Sequence, residues 1–157
     1  MRIQSLNSAV PADLGLVLLR ATTGLIAAAH GAQKLFIYGI DGVSGAFAQM
    51  GIPMPGIAGP ATGLVELIGG VALMLGLFTR FAGFALAMTM LGAIGFVHLA
   101  GGFFAPNGIE FPLALLGATG ALAVAGAGRY SLDALIAGRR DTVVDVTPVI
   151  RPIRKAA

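Results

Sequence analysis

Four apolar runs, each about 20 residues long and almost free of charge, govern what this chain can fold into. They cover residues 14–37, 60–78, 81–100 and 110–127. A helix needs about 20 apolar residues to cross a hydrocarbon core of about 30 Å. Strands are excluded as isolated spans, because they would leave backbone polar groups unpaired in lipid. A soluble alternative fails on composition: 57% of residues are hydrophobic and 11% charged, against about 45–50% and 25% in soluble domains. A chain this short has no single core that could hide so much apolar surface from water. The expected fold class is therefore an all-α membrane protein, a four-transmembrane-helix bundle.

The breaks between the runs follow from Gly and Pro. Pro11 and Asp13 resemble a helix start, so residues 1–13 read as a short N-terminal segment. Arg20 interrupts the apolar stretch that follows, which is longer than a signal core and reads as a retained first helix. Residues 39–59 read as a loop with a short amphipathic turn near Phe47, since Pro53, Pro55 and Gly56 oppose a continuous helix. Thr79 and Arg80 form a tight turn, and residues 101–108 a second irregular loop. Beyond the fourth run, Ser131 caps a short interfacial helix that Gly138 ends, and residues 129–157 form a basic tail.

Lys and Arg placement sets the orientation. With the N-terminus inside, Arg2, Arg80, Arg129, Arg139, Arg140, Arg151, Arg154 and Lys155 all fall on the cytoplasmic side, and only Lys34 lies opposite. Both termini are therefore expected in the cytoplasm of a multi-pass membrane protein, with the lipid bilayer as first partner. The net charge of +3 is accounted for by this asymmetry, so nucleic acid is not read as a partner. The chain has no cysteine, which removes disulfides, thiol exchange and cysteine-ligated metal or iron–sulfur centres. Any redox chemistry must then run through a bound molecule.

Ionisable residues within a span are costly and point to function. His30 lies about 24 Å above residue 14, and His98 about 25 Å above residue 81. Glu66 lies about 9 Å inside the outer end of its span, with Lys34 and Glu110 at the rim. His30 and Lys34, at i and i+4, share a helix face next to Gln33. All of these groups share the outer third of the bilayer. They suit a small carbonyl or phenolic head group whose redox change is coupled to protons, such as a quinone. His30, Glu66 and His98 are the candidate catalytic residues, and Gln33, Lys34 and Glu110 the candidate ligand-binding residues. A haem held by His30 and His98 is an alternative on the same side chains. So is a metal held by His30, His98, Glu66 and Glu110. The plain structural alternative is that these groups only hydrogen-bond across the bundle, with Lys34 snorkelling to the headgroups. Arg20 reads as structural, either snorkelling, pairing with Asp133 or holding the tail. One His and one Glu in each helical hairpin hint at an internal duplication.

The motifs resemble those of the DoxX family of small bacterial membrane proteins. Leu19-Arg20 with His30-Gly31-Ala32-Gln33-Lys34-Leu35-Phe36 resembles its first span. Gly63-Leu64-Val65-Glu66-Leu67-Ile68-Gly69-Gly70, followed by Gly76-Leu77-Phe78-Thr79-Arg80, resembles its second span and turn. His98, Glu110-Phe111-Pro112-Leu113 and Gly128-Arg129-Tyr130-Ser131-Leu132-Asp133 complete the series over about residues 14–135. The resemblance implies a four-helix, multi-pass protein of the bacterial inner membrane associated with oxidoreductases. It links some members to quinone or thiosulfate oxidation, and others to oxidative or quinone-type stress through soluble partners. The expected function is a redox-associated subunit that binds a quinone-like molecule in an outer polar cavity. The alternatives are a non-enzymatic anchor for soluble redox or stress-response partners, and a small-solute or proton carrier. A homo-oligomer is compatible with Gly69-Gly70 and the small residues of the fourth run.

Overall fold

The computed structural model describes residues 4–141, with side chains for residues 10–138. The basic tail from residue 142 lies outside the described residues. Helix α1 spans Gln4–Ala32 and passes into a π-helical segment, Gln33–Tyr38, and then α2, Gly39–Gln49. Helix α3 spans Pro55–Leu75; α4, Thr79–Ala93, continues through a second π-helical segment, Ile94–His98, and a 3₁₀ turn, Leu99–Gly101. Helix α5 is Glu110–Ala125 and α6 is Leu132–Asp141. No strand occurs among the described residues.

Three stretches are long and apolar enough to cross a membrane: Val10–Gln49, Pro55–Leu75 and Thr79–Gly101. Glu110–Ala125 is apolar but, at 16 residues, only about 24 Å long. The outer surface agrees with a lipid setting. Phe36, Phe81, Phe104 and Val124 are each about three-quarters exposed, a cost in water and none in hydrocarbon. The chain is a membrane protein.

With lipid outside, interior packing relies on close backbone approach more than on large side chains. The dominant seam joins α1 and α3, which run antiparallel. A Cβ on Gly70 would stand 2.5 Å from the Gly24 carbonyl oxygen, and one on Gly31 2.6 Å from that of Gly63. Helices α4 and α5 form a second antiparallel pair around Gly83, whose missing Cβ would meet the Thr119 carbonyl at 2.8 Å. Leu73, Leu86 and Leu122 are fully buried and fill the centre, flanked by Ala27 and Ala82. Helix α3 also packs on α4, whereas α1 and α5 touch only sparsely.

Several boundaries differ from the sequence reading. Helix α1 starts at Gln4 and runs through Pro11, because Asp13 is not its cap. Its carboxylate accepts the Arg129 backbone N–H at 3.0 Å, with the Arg129 guanidinium at 3.5 Å. Residues 39–49, expected as loop, are helix α2. Gly39, at φ 71 and ψ 170, turns the chain, and α2 lies back across α3 with Val43 buried against Gly59. Helix α3 begins at Pro55, a residue suited to the first helical turn, five residues before the expected start. Thr79 and Arg80 belong to α4; the turn itself is Gly76–Phe78, with Gly76 and Phe78 left-handed.

The end of the bundle that carries this turn is held by the closing segment. Asp133 accepts the Phe78 and Thr79 backbone N–H groups at 2.7 and 2.9 Å, so it caps α4 from another helix. Its own N–H donates to the Gly76 carbonyl at 2.9 Å. Arg20, 4% exposed, donates to the Tyr130 carbonyl. Of the three roles expected for Arg20, the structure selects holding the closing segment, and the Asp133 carboxylate is committed to the α4 amides. Ser131 caps α6 through the Ala134 N–H at 3.1 Å, as expected. Gly138 does not end α6, which runs on to Asp141.

Candidate functional site

At the opposite end the helices part around a cavity of about 320 Å³. Helix α1 contributes Thr23, Ala27 and His30, and the π segment after it Lys34. Helix α3 contributes Glu66, and the α4 stretch Met90, Ala93 and His98. Helix α5 contributes Phe111, Leu115 and Thr119. Four candidate residues, His30, Lys34, Glu66 and His98, thus line one space.

Their placement has local causes. Lys34 lies in the first π segment and His98 closes the second. A π turn inserts an extra residue into the helical ladder, re-aims the side chains beyond it, and is frequent at functional sites. Both hairpins carry this device at the same end of the bundle. Glu66 is 4% exposed on the face of α3 that carries Gly63 and Gly70, so the seam that brings α1 close also sets Glu66 beside Lys34. The Lys34 ammonium donates to Glu66 Oε2 in a partly buried ion pair. Lys34 thus pairs with Glu66 across the α1–α3 seam, where the plain structural alternative had it snorkelling to the headgroups.

His98 holds the loop that roofs the cavity. Its Nδ1 lies 3.1 Å from the Asn107 carbonyl oxygen, which can only accept, so Nδ1 carries the proton and Nε2 remains for a ligand. His30 is exposed and also borders a groove with Ala29, Gln33 and Ile37. It therefore links the cavity to the molecular surface.

Gln33 and Glu110 do not join the cluster. Gln33 faces the outer groove. Glu110 accepts the Ala105 N–H at 2.8 Å and fastens the 102–109 loop. Among the described residues no three His, Asp or Glu side chains gather closely enough to hold a metal ion. The sequence reading missed Thr23, Thr119, Met90 and Phe111 as cavity walls. The two threonines carried a faint signal as polar residues within apolar runs.

Comparison with known proteins bears on this arrangement. Residues 15–99 match the DoxX family, and residues 61–150 match the family described as TQO small subunit DoxD. The chain belongs to the DoxX family. His30, Lys34, Glu66 and His98 all fall within the stretch that matches DoxX. The chain is 35% identical over 124 residues to "Putative oxidoreductase CatD" of Bacillus subtilis (strain 168), covering 79% of this chain and 88% of that one. It is 32% identical over 134 residues to an uncharacterized membrane protein of Mycobacterium tuberculosis, covering 78% and 82%. An uncharacterized Haemophilus influenzae protein is 35% identical over 99 residues, covering 63% of this chain and 67% of that one. No solved structure matches the chain significantly. Membership in the DoxX family agrees with the resemblance read from the motifs.

Proposed function

We propose that this DoxX-family protein is a redox-associated subunit of the bacterial cytoplasmic membrane that binds a quinone-like head group in the 320 Å³ cavity. The observation that carries the reading is the convergence of an ion pair and two histidines in a chamber whose other walls, two threonines apart, are apolar. The volume lies at the lower end of small-molecule sites, roughly 300–1,000 Å³, which suits one substituted ring. Phe111 and Met90 offer apolar walls to such a ring. A bound quinone would supply two-electron, two-proton chemistry. Lys34 donates to a carbonyl or anionic oxygen, and His98 presents Nε2 to a hydroxyl of the ring. Glu66 balances the Lys34 charge, and His30 exchanges protons with the surface. With no cysteine in the chain, electrons come from a partner, in keeping with a subunit role.

In the bilayer, α5 serves as the fourth span together with the loop before it, and both ends lie in the cytoplasm. Support comes from Arg80 and Arg129, which lie at the closing end of the bundle, opposite Lys34.

The test is equilibrium binding of a benzoquinone and its quinol to the purified protein in lipid nanodiscs. Saturable binding that weakens in Glu66→Gln and His98→Ala is expected. Absence of binding to the wild type, or full binding by both variants, would overturn the assignment. A chain truncated after Gly138 that loses activity in cells while keeping quinone binding would instead identify an anchoring role for the tail.

A further inference from the structure

A second cavity, of about 440 Å³, lies on the other side of the polar cluster, between α2, α3 and the α4 stretch. Lys34, Glu66, Ala93 and His98 line both cavities, so the ion pair and His98 form a shared wall. Beyond that wall the lining turns apolar, with Phe47, Met50, Ile52, Met88 and Phe96. Of its two further polar residues, Thr89 turns its hydroxyl back to the Leu86 carbonyl at 2.8 Å. Met50, Met88 and Phe96 are also exposed, so the chamber opens sideways where lipid lies.

The two chambers share one charged and hydrogen-bonding wall, and the second extends from it along thioethers and aromatic rings toward the lipid side. That pair of environments matches an amphiphile with a compact polar ring and a long apolar chain. We infer that the second chamber receives the hydrocarbon chain of the same molecule whose head group occupies the first, with Lys34 as the movable part of the wall between them. The inference rests on the proposed function and extends it from a ring to a chain-bearing ligand. Lys34 suits the role because its long stem swings about several single bonds and its side chain keeps 20% exposure, whereas the Glu66 side chain keeps 5%. Helix α2, turned across α3 at Gly39, then acts as the chamber's outer wall.

Gly92 gives access to this chamber alone. It lines the second cavity and not the first, and a Cβ there meets nothing within 4 Å. Gly92→Leu should therefore fill the chamber and leave the fold and the head-group site intact. Ala58→Leu, from the facing helix α3, is the second variant.

The experiment uses the full chain in nanodiscs and two probes: a ring without a chain, and the same ring with a decyl chain carrying a mid-chain diazirine. After irradiation, labelled residues are mapped by mass spectrometry. The expected label falls on Met50, Met88 or Phe96 and disappears with excess chainless ring. It drops about ten-fold in Gly92→Leu, as for two displaced methylenes, while the chainless ring binds as in wild type. Label on outward residues such as Phe81 and Val124, or label that neither Gly92→Leu nor Ala58→Leu lowers, overturns the inference and spares the head-group site. Failure of the chainless ring to bind the wild type overturns the proposed function as well.

Discussion

Gly70→Ala should loosen the α1–α3 seam, and its effect can be worked from the structure. The added methyl would stand 2.5 Å from the Gly24 carbonyl oxygen and 2.9 Å from Ala28 Cα, where ordinary contact begins at 3.4 Å. The helices must therefore separate by at least 0.9 Å, the difference between the last value and the first, since the Ala28 backbone N lies closer still. The obstructing atoms are backbone, so no rotamer change relieves them. Overpacking of this kind costs about 1–3 kcal/mol, and the rigid neighbours place this case at about 2–3. At about 2–4 °C per kcal/mol for chains of this size, the melting temperature should fall by roughly 4–12 °C. The assay is thermal unfolding in one mild detergent, followed by circular dichroism at the helix band. Gly117→Ala on α5 is the control, since a Cβ there meets nothing within 4 Å, and it should melt at or above wild type. If Gly70→Ala melts with Gly117→Ala, the backbones are not in contact and the account of the seam is wrong.

The ion pair, the trans cap and the loop tether give three further tests. Glu66→Ala should destabilise by about 3–5 kcal/mol by stranding Lys34. Lys34→Met/Glu66→Leu should restore most of that loss in thermal unfolding without restoring quinone binding; no recovery would mean the pair is not coupled. Asp133→Ala removes the acceptor for two α4 amides and should cost about 1–2 kcal/mol, with Asp133→Asn losing less; equal melting of all three would refute the cap. His98→Ala frees the Asn107 carbonyl, a loss of about 0.5–1.5 kcal/mol. Chymotrypsin should then cut at Phe103 or Phe104 several-fold faster, and an unchanged rate would show that His98 does not tether the loop.

The sequence by itself determined the medium and the depth of the polar cluster. Apolar runs with almost no charge permit only helices in lipid, and the cost of burying an ionisable group there singled out His30, Lys34, Glu66, His98 and Glu110, of which the first four line one cavity. Ser131 as a cap was equally legible, because a cap depends on residues three positions apart. What depended on distant partners was not legible. Asp13 looked like a cap for α1, yet its carboxylate serves Arg129, more than a hundred residues away in the chain. Asp133 caps a helix that begins 54 residues earlier. Gly39 and Gly42 looked like loop formers, but α2 gains enough by burying Val43 against α3 to be helical.

The same division runs through the site. Shared depth predicted one cluster, but depth fixes height along the bundle and not direction around each helix. Direction was decided by the two π segments and by the Gly24, Gly31 and Gly70 contacts, which bring α1 close to α3 and set Lys34 beside Glu66. Those contacts are absent from any single run of sequence, as are the Ala105 N–H that holds Glu110 outside the cavity and the packing of α2 that borders the second chamber beyond the ion pair.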